Sequence, residues 1–211
     1  MVQVLAASAV EAAPWLLGAR VTSALDAETV TVRIVEVEAY AGLGQDPASH
    51  AHRGPTPRNA AMFGPAGHAY VYFTYGMHWC LNVVTGPSGE GSAVLLRAGE
   101  VVEGHDVARR RRSTSGRRVP ADRDLARGPA RLTEALAVTA AHDGLDLLRP
   151  DGILRLSLPT TTLARVATGP RVGVRQAADR LWRFWLPDEP TVSAYRAGGR
   201  RRREPQGGSQ P

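Results

Sequence analysis

Polar and apolar positions alternate along "TVTVRIVEVEAY", and Val, Ile and Thr dominate the run, so the pattern predicts a strand from about Thr29 to Tyr40. On a two-residue period Ile34, Glu36, Glu38 and Tyr40 share one face, while Arg33, Val35, Val37 and Ala39 take the other. Two carboxylates and a tyrosine then project together from a strand that runs into a glycine-containing loop. A solvent-facing strand surface explains the pattern as well as a cleft does. If the face lines a cleft, paired carboxylates push one pKa up, which suits a general base.

Further along, "AYVYF", a turn around "TYGM" and "HWCLNVV" predict a hairpin. Tyr70, Tyr72 and Thr74 share one of its faces; Val71, Phe73 and Tyr75 share the other. Tyr75 stands beside Gly76 at the turn, where a large aromatic has little core to enter and is either exposed or pressed into a partner. "SAVLLRAGE" is a third strand and places Arg97 near its end, either as a surface snorkeler or as a positioned cation at a cleft rim. "AVEAAPWLLGAR" predicts a short helix ended by Gly18, and Thr56 followed by Pro57 predicts an N-cap and first turn for a helix to Phe63. "EVVEGHDVARRRR" suits a helix, "RGPARLTEALAV" a helix opened by Pro129. "LDLLR", "ILRLSL" and "LARVATGPRVGV" suit strands. Together these elements predict one α+β domain with a mainly antiparallel sheet over residues 1–195, followed by a disordered Arg/Gly-rich tail over 196–211.

Composition adds three points. The chain has 211 residues and 43% hydrophobic content, enough for a real core, and no apolar run approaches the roughly 20 residues of a spanning helix. Its apolar N-terminus lacks a preceding basic region and is interrupted by Glu11, so it reads as a helix and not a signal peptide. The single Cys80 excludes an intramolecular disulfide framework and fits a reducing, cytoplasmic compartment.

Charge changes the picture more. The chain is +6 overall, but residues 108–123 alone carry a net +6 and residues 196–211 a net +4, so the remainder is acidic. Two basic, flexible-looking segments of this kind suit a polyanion through counterion release, or are simply a solvated loop and tail. All 26 basic residues are Arg, and without lysine no side-chain amine is available for Schiff-base chemistry.

The remaining chemistries find little support. His50 and His52 with Asp46, or His78 with Cys80, are the only metal-ligand sets that suggest themselves, and no CxxC or HExxH occurs. A zinc nucleobase deaminase needs H-x-E and P-C-x-x-C elements that are absent. Cys80 sits mid-strand, where it suits a small buried hydrophobe better than a nucleophile. The glycines lack phosphate-loop and dinucleotide spacing. Neither a metal nor a cofactor is expected.

Five segments in order, "RIVEVEAY", "DPASHAHRGPTPRNAAMFGPAGHAYVYFTYGMHWCLNVV", "GSAVLLRAGEVVEG", "RDLARGPARLTEAL" and "GPRVGV", resemble the alkyladenine (3-methyladenine) DNA glycosylases of the eukaryotic type, which also occur in bacteria. The resemblance spans roughly Ala13 to Phe184. It implies a compact α+β domain with a curved, mainly antiparallel sheet, a protruding β-hairpin and peripheral helices. It also implies base excision from double-stranded DNA, with the damaged nucleotide flipped into a pocket. By the same resemblance Glu38 matches the general base that activates the attacking water, and Arg97 the residue that helps to hold that water. Tyr40, His50 and Tyr72, with Ala48 beside them, match the pocket around the flipped base. Asn82 matches the residue that crowds out guanine through its exocyclic amine. Tyr75 matches the wedge that fills the gap in the duplex, with Gly76, Met77 and Arg58 on the same DNA side.

The expectation is thus a monofunctional glycosylase that acts as a monomer, away from membranes and on the bacterial nucleoid through its DNA. It would remove 3-methyladenine-like or hypoxanthine-like purines and leave an abasic site. Three other readings stand beside it: a protein that binds flipped lesions without hydrolysis, an RNA binder driven by the Arg-rich segments, and a hydrolase of free nucleosides.

Overall fold

A computed structural model describes residues 2–25, 27–74, 76–113, 120–163 and 165–199. The wedge candidate Tyr75, the centre of the first Arg-rich segment and the tail from residue 200 lie outside the described residues.

The spine is β2 (Glu28–Tyr40), a 13-residue strand whose Val- and Ile-rich alternation suits a half-buried sheet position. One edge of β2 pairs along its length with β5 (Ser92–Glu103); the other pairs first with β1 (Arg20–Leu25) and then with β8 (Arg183–Trp185). The hairpin of β3 (Ala69–Thr74) and β4 (His78–Thr85) extends the sheet beyond β5. β6 (Leu154–Ser157) closes the far side on β1, and β7 (Ala167–Gly169) pairs with β8. Every pairing is antiparallel, and the main order is β3-β4-β5-β2-β1-β6. The α+β expectation with a mainly antiparallel sheet holds.

Among the described residues four helices accompany the sheet. They are α1 (Val2–Leu5), α2 (Ala9–Leu16), α3 (His105–Arg112) and α4 (Pro129–Ala135). The second starts at a capping box in which Ser8 and Glu11 satisfy each other's backbone N–H groups. Leu16, Ile34, Leu81, Leu96, Leu132 and Leu136 are fully buried in the main core between helices and sheet. A second cluster, Ala51, Met62, Tyr70, Val84 and Ala93, packs with Tyr40 and Tyr72 and floors the site described below.

Several expectations are corrected. Pairing of β2 with β5 slips three times: once between Thr31 and Val32, and twice around Glu36, where Ile34 faces Gly99, Glu36 faces Ala98 and Val37 faces Leu96. Val35 is therefore an extra residue on β2 and Arg97 an extra residue on β5, a pair of adjacent bulges. The shift puts Ile34 in the main core with Val37 and Ala39, not on the face of Glu36 and Glu38. The helix expected after Thr56 is only a 3-10 turn, Ala60–Phe63, because Asn59 takes the cap position and its side-chain oxygen accepts from the Thr56 N–H at 2.6 Å.

"EVVE" belongs to β5, and the helix that follows begins only at His105. "LDLLR" forms turns with a single bridge from Asp146 to His68, and of "LARVATGPRVGV" only Ala167–Gly169 is strand. Of the first Arg-rich segment, residues 108–113 and 120–123 are described, and its first four arginines are helical where their composition suggests a flexible run. Arg109 through Arg112 form the last turn of α3; Arg109 pairs with Asp106 and Asp122, Arg110 with Glu28, and Arg112 with Glu134.

Candidate active site

Glu36 and Glu38 leave β2 on one face, and both carboxylates are fully buried. Burial without partners would cost several kcal/mol per charge, so the partners define the site. Glu38 accepts from the Tyr40 hydroxyl at 2.9 Å, from Arg97 Nη1 at 3.3 Å and from the Val172 backbone N–H at 2.6 Å. Glu36 is satisfied by structural groups: Arg97 Nε at 2.9 Å, Arg183 Nε at 2.7 Å, the Ser193 hydroxyl at 2.9 Å and the Ser193 N–H at 2.7 Å. Arg97 therefore bridges the two acids. The bulge that makes it an extra residue on β5 turns its side chain toward them, which settles its place as a buried cation and not a surface snorkeler. Burial opposes its charge, but Glu38 and Glu36 outweigh that and hold its pKa above the ordinary value.

Beside Glu38 opens a cavity of about 480 Å³. Tyr40, Tyr72, His50, Ala48, Asn82 and Arg97 line it, together with a segment from Val172 to Gln176. The volume suits a nucleobase with part of its sugar. Its aromatic wall is continuous: Tyr72 meets His50 edge-on with centroids 4.5 Å apart, and Tyr70 lies 5.3 Å from Tyr72. His50 Nδ1 is 2.9 Å from the Tyr70 hydroxyl. Burial, followed by the nearby Arg58, lowers the His50 pKa and favours a neutral imidazole in the wall. Burial pushes the Tyr40 phenol well up, with Glu38 adding to it, so Tyr40 stays a proton donor to that carboxylate. Asn82 is fixed by donating its amide to the Tyr70 carbonyl at 2.9 Å.

On the hairpin side, of the other expected positions, Gly76, Met77 and Arg58 are described. Gly76 turns the tip at φ +66°, and Met77 is 69% exposed beside it. Thr74 and His78, which flank the turn, line the cavity mouth. Arg58 Nη2 donates to the Phe73 carbonyl at 2.6 Å and so braces the hairpin from outside. The Ala48 N–H is spent on Asp46 at 3.1 Å.

The metal-ligand sets do not assemble. Asp46 is taken by Arg171, whose guanidinium grips it with both nitrogens at 2.5 and 2.9 Å, both side chains fully buried. Among the described residues no group of three or more His, Cys, Asp or Glu is placed to share an ion.

Sequence reasoning missed three contributors. Arg171, in "GPRVGV", also bonds the Ala39 carbonyl at 3.0 Å and stacks 4.6 Å from the Tyr40 ring, so it fixes both Tyr40 and the start of the cavity segment. The Val172 N–H is a backbone group and leaves no trace in residue type. The third is Ser193, far along the chain, which closes the Glu36 network. An Arg in an otherwise apolar segment was the one available signal, for Arg171.

Comparison with known proteins identifies the family. The chain matches the family model described as methylpurine-DNA glycosylase over residues 3–190. A relative from Leifsonia xyli subsp. xyli, provisionally named a 3-methyladenine DNA glycosylase, is 56% identical over 194 residues, which is 90% of this chain and 89% of the relative. Proteins of the same provisional name are 54% identical in Nocardia farcinica (90% of this chain, 88% of the relative) and 50% identical in Burkholderia cenocepacia (88% and 86%). With nearly all of the described fold matched and half or more of the aligned residues shared, the chain belongs to the methylpurine-DNA glycosylase family.

Proposed function

We propose that the protein is a monofunctional DNA glycosylase of base excision repair that flips alkylated or deaminated purines, 3-methyladenine-like or hypoxanthine-like, out of duplex DNA and hydrolyses their N-glycosidic bond. The observation that carries the reading is one fully buried carboxylate, Glu38, held by three donors directly behind an aromatic-walled cavity of nucleobase size.

In the proposed step the C1′–N bond breaks and the base leaves with the bonding electron pair. Water adds its oxygen to C1′, and its proton passes to Glu38. The same carboxylate stabilises the oxocarbenium-like sugar, so one group serves both needs. An N-alkylated purine is already a good leaving group, and its electron-poor ring gains from stacking on tyrosine faces. Tyr40, His50 and Tyr72 would hold the base, and Asn82 would crowd out guanine. Arg97 would hold the water together with Glu38. Because Glu38 is fully covered, the nucleotide must part Tyr40 or the 172–176 segment slightly to let that water in. Extrusion costs a few kcal/mol, less for a badly paired base, and residues at the hairpin tip, Tyr75, Gly76 and Met77, would hold the gap open. The reading supplies double-stranded DNA as partner and a monomer as the working unit.

The chain has no lysine, so a lysine-dependent lyase step has no side chain to perform it. Incubation with duplexes holding a hypoxanthine or a 3-methyladenine analogue tests the reading. Free base should appear with an intact strand that breaks only after alkali. No release from any damaged duplex, or release from free nucleosides at comparable efficiency, would sink it.

A further inference from the structure

Arg171 is 1% exposed, yet it does not line the cavity. Its guanidinium is held by the fully buried Asp46 through bonds of 2.5 and 2.9 Å and donates to the Ala39 carbonyl at 3.0 Å. It also lies over two rings, 4.6 Å from that of Tyr40 and 5.2 Å from that of Trp182. Burial opposes its charge, but Asp46, followed by Tyr40 and Glu38, outweighs that and holds its pKa above the ordinary value.

As a source of stability this arrangement is poor, since apolar packing of the same volume often does as well as a buried ion pair. The Arg171 Nε is also buried without a hydrogen-bond partner among the described residues, which adds the cost of an unmatched N–H. What the pair does is hold three segments at fixed places. Asp46 opens the loop that carries Ala48 and His50 and accepts the Ala48 N–H at 3.1 Å. Ala39 stands at the end of β2, one residue before Tyr40. Arg171 itself precedes Val172, where the chain reaches the cavity.

The last two segments deliver two of the three donors to Glu38. The Val172 N–H reaches Oε1 at 2.6 Å and is the one donor to that oxygen among the described residues. The Tyr40 hydroxyl reaches Oε2 at 2.9 Å. Only the third donor, Arg97 at 3.3 Å, is placed independently of Arg171. With the Val172 N–H displaced, Oε1 loses its contact and the carboxylate is no longer fixed from both sides.

We propose that Arg171 is a positioning residue for base excision: clasped by Asp46, it fixes the Glu38 carboxylate at the cavity through the Val172 N–H and Tyr40. The proposal rests on the glycosylase reading and gives Arg171 no contact with the nucleotide. A misplacement of about 1 Å at a reacting group can cost about 10²-fold in rate, so loss of the clasp falls on the chemical step and not on binding.

Arg171→Met alone would strand a buried Asp46. The main variant therefore combines it with Asp46→Asn, which removes both charges together and keeps an acceptor for the Ala48 N–H. Arg171→Lys is the conservative control, because an ammonium can hold Asp46 but has no planar fork to share with Ala39 or to stack on a ring. Thermal melts establish that each variant is folded. Single-turnover release at saturating enzyme and affinity for a hypoxanthine duplex are then measured separately. The paired variant should release base about 10–100-fold more slowly, with affinity within about threefold of wild type. Arg171→Lys should fall between them. The decisive arm repeats the pair in a Glu38→Asp protein, whose carboxylate is drawn back by one methylene from both donors. There the pair should change release by less than about twofold, because groups that act as a unit are not additive.

A folded pair that releases base at the wild-type rate would overturn the proposal. So would equal slowing with Glu38 and with Glu38→Asp, which would make Arg171 act on another part of the cavity. Weaker affinity with unchanged saturated release would overturn it too, by making the clasp a support for base binding alone. Should the pair not fold, Arg171→Lys, alone and with Glu38→Asp, decides among the same outcomes. Absence of base release from wild type would defeat the glycosylase reading, and the positioning role with it.

Discussion

Glu36 and Glu38 are two residues apart, equally buried and joined by Arg97, yet their surroundings assign them different work. Glu36 meets only groups of the fold, Arg97, Arg183 and Ser193, and ties the end of the chain to the sheet centre. Replacing it by alanine leaves buried Arg183 without its acidic partner and Arg97 with Glu38 alone, so Glu36→Ala should cost about 3–5 kcal/mol. For a domain of this size that corresponds to a melting temperature lower by about 6–20 °C. A melt within 2 °C of wild type would contradict the network's assigned role.

The alternation in "RIVEVEAY" placed both carboxylates and Tyr40 on one face, and they are on one face. It could not separate the structural acid from the one behind the cavity. That distinction depends on Ser193 and Val172, more than 130 positions away. Cys80 is legible at the same scale, since a cysteine in mid-strand is most often a buried hydrophobe, and it is 3% exposed. Burial raises its thiol to about 11. The folded state therefore favours the protonated thiol, a contribution present below the ordinary thiol pKa and lost only as the pH rises through about 11. Thiol titration at pH 8 should find no fast-reacting group in native protein and one after denaturation. Rapid native modification would show the pocket side of β4 to be open.

At the scale of elements, long strands were legible and short ones were not. β2 and β5 announce themselves by 12 or 13 residues of Val, Ile and Leu. β1 and β8 have six and three residues, too short for a period to register, and take their place from pairing with β2. The paired bulges are invisible to alternation because one extra residue on each strand cancels beyond the slip. They nevertheless aim Arg97. Residues 171–174, the end of the expected strand "LARVATGPRVGV", looked like strand because of their valines; they are irregular because Arg171 turns inward to Asp46 and the Val172 N–H is given to Glu38.

The β3–β4 hairpin illustrates how an element separates folding from function. Its base is core, and its tip carries a methionine that is 69% exposed. Truncating such a side chain should alter stability by no more than about 0.5 kcal/mol. Met77→Ala should melt like wild type and bind damaged duplex several-fold more weakly. Unchanged binding would remove the tip from the DNA side of the account.

Across the whole molecule, charge is arranged with more order than the composition suggests. The arginines of α3 staple it to Glu28 and Glu134, which converts a basic run into tertiary structure. The sheet, its bulges and the returning C-terminal segment converge on a single place, the Glu38 carboxylate behind the aromatic wall. That convergence is why Glu38 is the group on which the proposed reaction depends.

The most direct measurement is single-turnover base release from a hypoxanthine duplex by wild type and Glu38→Gln, with duplex affinity measured for both. Glutamine keeps the shape and cannot take the water's proton. Release should slow by about 10²–10⁴-fold with binding retained. Release at the wild-type rate in Glu38→Gln would contradict it and move the chemistry to another group.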